Sequence, residues 1–111
     1  MKLGGKEMIQ LHHVAIVVND FDKYVDLFLR LGMNIQRITG EAPNRQLWFE
    51  EGIQLKESHD DSADGIDHIA LGTNNRTGIL KTAIESNCSL IMERDNWFRL
   101  PNGISIELME D

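Results

Sequence analysis

Three features are missing from this chain: a second cysteine, a long apolar run and a cluster of basic residues. With Cys88 alone there is no internal disulfide, so a reducing cytoplasm is the expected compartment. The longest apolar run, Val14–Val18, falls far short of the roughly 20 residues that cross a bilayer. The opening MKLGGKEMIQ has no apolar stretch suited to a signal peptide. Eleven Lys and Arg stand singly against eighteen Asp and Glu, a net charge of -7, which argues against nucleic acid or an anionic membrane as partner. What remains is the composition of an ordinary globular domain. At 111 residues one core is expected, large enough to stand without disulfide or metal staples. A metal in such a chain would be there for function.

The sequence repeats itself. LHHVAIVVND, residues 11–20, aligns without gaps on IDHIALGTNN, residues 66–75, an offset of 55 that places His13 on His68, Ala15 on Ala70 and Asn19 on Asn74. A helical pattern follows each copy, FDKYVDLFLRLG and RTGILKTAIESN. Asp20 and Asn75 are suited to cap the helix starts, and Gly32 and Asn87 tolerate the left-handed backbone expected past the ends. Strand-like runs come next: MNIQRI, RQLWFE and GIQLKE in the first half, SLIMER, NWFRL and GISIELM in the second. Turn signals at Pro43-Asn44 and Pro101-Asn102-Gly103 agree. The expectation is an α+β domain over residues 9–110, built from two tandem βαβββ units. Unit one spans about 9–57 and unit two about 65–110, joined by a linker at 58–64 that overlaps the acidic HDDSADG stretch of residues 59–65. Neither unit would cover its sheet and helix alone, so the two are expected to form one curved mixed sheet with helices on the convex face.

Side chains alternate faces along a strand, which divides each strand into two rows. Val14, Ile16 and Val18 make one row and His13, Ala15 and Val17 the other; the second copy sets Ile69 and Leu71 against His68, Ala70 and Gly72. The branched row suits a core under the helix, and the row of histidine and small residues suits an open cavity. In the closing strands, Ile53 and Leu55 alternate with Gln54 and Lys56, and Ile106 and Leu108 alternate with Glu107. In one curved sheet, His13, Gln54, His68 and Glu107 would converge. Two imidazoles, a carboxylate and an amide oxygen suit a divalent ion such as Fe(II), Ni, Co, Mn or Zn, with open positions for water or substrate.

HHVAIVVND and DHIALGTNN opening the halves, with LPNGISIELME closing the second, resemble the vicinal oxygen chelate superfamily. It includes glyoxalase I, methylmalonyl-CoA epimerase, extradiol dioxygenases, fosfomycin-resistance enzymes and bleomycin-binding proteins. The resemblance covers about Gln10 to Met109. It implies metal ligands from the first and last strands of each unit, here His13, Gln54, His68 and Glu107. Ile53-Gln54-Leu55 matches Ile106-Glu107-Leu108, and Gln at the second position is nearer the epimerase branch than glyoxalase I. A competing register puts Lys56 there; an ammonium cannot ligate, and its flanks match less well. Leu100 stands before Pro101 where the family often has Asp, a departure in a turn.

The resemblance further implies a metal-dependent lyase or isomerase moving a proton next to a chelated carbonyl of a small metabolite. Glu107 would be the base by analogy with the glyoxalase branch, and Lys56, in the row of Gln54, is an alternative base or anion anchor. A second expectation is a non-enzymatic drug-binding protein of the bleomycin type, with Trp48, Trp97 and Phe98 as stacking surfaces and Arg45, Arg94 or Arg99 as anion partners. A third is Fe(II) ring cleavage by His13, His68 and Glu107, though His12 on the aliphatic row and His59 in the linker are poorly placed as acid–base partners. Short turns leave little chain to wrap a large substrate, so a homodimer is expected to complete the pocket.

Overall fold

Asp20 ends the first strand and starts the first helix: its side chain accepts the N–H of Lys23 at 3.4 Å, satisfying one of the donors a helix start leaves unpaired. Asn75 does the same for Gly78 at 3.2 Å in the second half. At the far ends, Gly32 (φ 103°) and Asn87 (φ 69°) take the left-handed conformation, and Met33 and Cys88 N–H groups return to Phe28 and Ala83 carbonyls. These local signals set the element order in the computed structural model, which describes residues 8–59 and 65–110. The elements are β1 (Ile9–Val18), α1 (Phe21–Arg30), β2 (Ile35–Thr39), β3 (Gln46–Phe49) and β4 (Ile53–Glu57). The same succession follows as β5 (Gly65–Thr73), α2 (Arg76–Glu85), β6 (Ser89–Leu90), β7 (Trp97–Arg99) and β8 (Ser105–Glu110). The strands of the first half order as β2-β3-β4-β1 and those of the second as β5-β8-β7-β6, so the fold is α+β with two copies of βαβββ. Most of the expected linker, residues 60–64, lies outside the described residues. No helix among the described residues is long and apolar enough to cross a membrane.

Contacts divide the chain into two compact units, one of His13–Asp67 and one of His68–Asp111 with the chain up to His12. Both boundaries fall inside strands, β1 and β5. In the His13–Asp67 unit, β1 runs parallel to β4, while β3 is antiparallel to both β4 and β2. Helix α1 carries Phe21, Tyr24, Val25 and Phe28 at helical spacing, and these close over Val18, Leu47, Phe49 and Leu55. Phe28 and Phe49 meet tilted, ring centroids 5.5 Å apart. Leu47 and Leu55 are wholly buried, each contributing about 1.5–3 kcal/mol.

In the other unit, β5 runs parallel to β8, and β7 is antiparallel to β8 and β6. Ala83 of α2 packs with Phe98, Ile106 and Leu108, flanked by Ile69, Leu71 and Ile79. The smaller residues of α2 leave an open cleft of about 470 Å³ beneath it, lined by Ile79, Thr82, Ala83 and Phe98 among others. The Pro101-Asn102-Gly103 turn is closed by Gly103 N–H to Leu100 O at 2.8 Å, with Gly103 at φ 96°.

Two expectations are corrected. SLIMER forms strand only at Ser89–Leu90; residues 91–96 turn twice, through Arg94 N–H to Ile91 O and Trp97 N–H to Arg94 O. Met92 is 90% exposed and Leu90 47%, so the alternating pair has no surface to pack against and the strand stops. The aliphatic rows do pack under the helices, but the histidine rows are more buried than an open cavity would leave them. Ala15 and Ala70 are wholly covered, and His13 and His68 are 7% and 4% exposed. The register explains the alanines: Ala15 lies opposite Gln54, and Ala70 opposite Glu107, so a methyl group is overtopped by a longer neighbour on the next strand.

Candidate metal centre

In the unit from His68 onward, parallel pairing sets His68 opposite Ser105 and Ala70 opposite Glu107, so His68 and Glu107 are diagonal neighbours on one sheet face. Their side chains meet, His68 Nε2 to Glu107 Oε1 at 3.2 Å. Trp97 is the cross-strand partner of Glu107 on β7 and presses its indole against the His68 ring, centroids 4.7 Å apart at 59°. Asn96 anchors this strand end to β8: its amide donates to Leu108 O at 3.0 Å, and Leu108 N–H donates to Asn96 O at 2.7 Å. Arg94, from the turn before β7, lies with Cζ 4.7 Å from the Trp97 ring centre. Phe98 faces the other way, into the core and the α2 cleft, so that cleft lies on the opposite side of β7 from the ligand row.

In the His13–Asp67 unit, His13 stands two residues before Ala15, as His68 does before Ala70. Ala15 pairs with Gln54, and Gln54 pairs across β3 with Trp48. The pattern around Glu107, with Ala70 on one side and Trp97 on the other, is thus written again around Gln54. Lys56 lies opposite Val17, the place Met109 occupies opposite Gly72. The register makes Gln54, not Lys56, the counterpart of Glu107. Gln54 is 4% exposed, and its Nε2 donates to Gln46 Oε1 at 2.7 Å. That bond engages the amide nitrogen as donor, and the carbonyl oxygen is the acceptor of this side chain. Lys56 Nζ forms an ion pair with Asp67 at 3.1 Å, about one third exposed on each side.

The expected anion partners separate into two kinds. Arg45 is fully engaged: its Nε and Nη2 grip Glu57 at 2.8 and 2.7 Å, Nη1 reaches Asp22 at 3.1 Å, and the guanidinium lies over Phe21. These bonds hold the Glu57 carboxyl below the usual range and raise the Arg45 guanidinium well above its own. Arg45 is a clamp between β4 and the start of α1. Arg94 and Arg99 are exposed. Two supporting residues went unread in the sequence, Gln46 and Asn96. Gln46 was legible as the same-row neighbour of Trp48; Asn96, whose side-chain amide and main-chain carbonyl both bond the main chain of Leu108, left no signal.

No family model matches the sequence, and no curated protein matches it significantly. Solved structures do match. A hypothetical protein, BH1468 from Bacillus halodurans C-125, superposes with a TM-score of 0.71 at 17% identity, over 93% of this chain and 94% of that one. Methylmalonyl-CoA epimerase from Mycobacterium tuberculosis superposes with a TM-score of 0.64 at 20% identity, over 90% and 86%. The chain shares its fold with both structures. At such identities the likeness is one of fold.

Proposed function

We propose that this protein is a divalent-metal-dependent lyase or isomerase that moves a proton next to a chelated carbonyl of a small metabolite. The observation that carries the proposal lies within one unit: buried His68 sets its Nε2 3.2 Å from Glu107 Oε1. With His13, buried at the matching position of the other copy, the donor set would be two imidazoles and a carboxylate, which fit a borderline ion such as Ni, Co, Mn, Fe or Zn. Gln54 is the fourth ligand in this reading, supported by its register equivalence to Glu107. The fold shared with the epimerase supports the reaction class.

The metal, when bound, would supply Lewis acidity that stabilises an enolate oxygen. The chain's own residues do the rest. Trp97 limits the tilt of the His68 ring, and Asn96 keeps Trp97 in place. Glu107 is the proton acceptor of the glyoxalase-type route, its carboxylate partly exposed beside His68. Lys56 is the alternative base or anion anchor, its Nζ 3.1 Å from Asp67 Oδ2. A homodimer completing the pocket, in the cytoplasm, belongs to the same proposal.

The test combines metal content with proton exchange. Purified protein should carry or take up close to one divalent ion per chain. With methylmalonyl-CoA as probe in deuterated water, it should wash out the α-hydrogen signal in NMR, and His68→Ala should abolish both behaviours. A protein that takes up no divalent ion and binds small molecules equally well after His68→Ala would be a binding module instead.

A further inference from the structure

Beside the face of β7 and β8 that carries Glu107 stand two guanidinium groups with no ion pair among the described residues. Arg94 is exposed, lies on the Trp97 indole, and forms no ion pair among the described residues, although Glu93 and Asp95 flank it in sequence. Arg99 stands two residues after Trp97 and is likewise exposed and without an ion pair among the described residues. Its cross-strand partner is Ser105, whose partner on β5 is His68, so Arg99, Ser105 and His68 form one row across three strands on a common face. With neighbouring strands about 4.8 Å apart, Arg99 begins about 10 Å from His68. The next row is Trp97, Glu107 and Ala70.

In a chain of net charge -7 these two cations contrast with Arg45, held by Glu57 and Asp22, and Arg30, paired with Asp26. Stacking on an indole occupies a guanidinium's face and leaves its N–H edge free for a two-oxygen anion, with part of the ordering cost already met. We propose that Arg94 and Arg99 form an anion subsite beside the His68–Glu107 pair. It would select substrates that carry a carboxylate or phosphate a few bonds from the carbonyl handled there. The proposal rests on the metal-dependent reading for the carbonyl end; the anion end stands on the two arginines alone.

The test is equilibrium binding, read by tryptophan fluorescence and calorimetry, with malonate, phosphonoacetate and the uncharged malonamide as probes, each with and without Ni(II). Malonate and phosphonoacetate should bind roughly 10- to 100-fold more tightly than malonamide, which keeps both carbonyl oxygens and has no anionic group. Arg94→Met and Arg99→Met should each erase part of that preference, and the double variant should lose most of it. Malonamide and Ni(II) affinities should stay unchanged. Arg94→Lys, which keeps the charge and loses the fork, should fall between. The ratio of malonate to phosphonoacetate identifies which anion the subsite prefers. Equal binding of malonate and malonamide by the parent protein, or an undiminished preference in the folded double variant, overturns the subsite. Failure of the metal reading shows separately, as absence of Ni(II) binding, while the arginine-dependent preference is still measured without metal.

Discussion

Glu107→Gln is the sharpest perturbation of the proposed centre, because it keeps the side chain's shape and removes only its charge. A metal that binds the folded state alone stabilises it by about 2.7 kcal/mol at a free concentration a hundredfold above its dissociation constant. For a domain of this size, at about 4 °C per kcal/mol, the midpoint of thermal unfolding should rise by roughly 10 °C. Loss of a group that merely supports a ligand weakens metal binding about 10- to 100-fold, and loss of the anionic ligand itself should reach at least the upper figure. At the same metal concentration the variant would then be about half loaded, with a stabilisation near 0.4 kcal/mol and a shift of about 2 °C or less. Scanning calorimetry of both proteins with metal and with chelator measures the difference directly. Equal metal-induced shifts in the parent, Glu107→Gln and His68→Ala would refute the idea that these side chains, 3.2 Å apart, hold the ion.

Two further predictions concern the scaffold. A Cβ at Gly78 would fall on the side chain of its own N-cap, Asn75, so Gly78→Ala should not deliver the roughly 1 kcal/mol that alanine gains over glycine inside a helix. Urea unfolding of the double-mutant cycle with Asn75→Gly should show a coupling of about 1 kcal/mol, and additivity within about 0.3 kcal/mol would contradict the clash. The Arg45–Glu57 clamp should be pH-dependent. Glu57 is held below its ordinary value of 4.5 when folded, so its contribution is present above that pH and is lost as the pH falls through the lowered folded value. Arg45→Met should therefore be destabilised near neutrality, with the gap to the parent narrowing in acid; a gap that stays constant would show that the ion pair is not its source.

Much of the architecture was legible. The caps at Asp20 and Asn75, the left-handed Gly32 and Asn87, and the alternation of Ile106 and Leu108 with Glu107 are local signals, and the structure carries each of them. The segment after Leu90 misled because an apolar start suggested a strand while Met92 has no surface to pack against. The burial of Ala15 and Ala70 was hidden for a different reason. A side chain's cover comes from the neighbouring strand, and small residues show nothing of it in their own sequence.

The sequence by itself determined that two copies of one unit exist, where their helices begin and end, and which side chains share a row. Those properties depend on spacing along the chain, with period 2 in strands and 3.6 in helices. Tertiary structure decided which rows meet. Pairing of β1 with β4 and β5 with β8 set Gln54 in the place of Glu107 and left Lys56 to Asp67; pairing of β7 with β8 laid Trp97 against His68. Register is a property of two strands packed together and not of either one alone, and a slip of two residues would have preserved every row while exchanging Gln54 for Lys56.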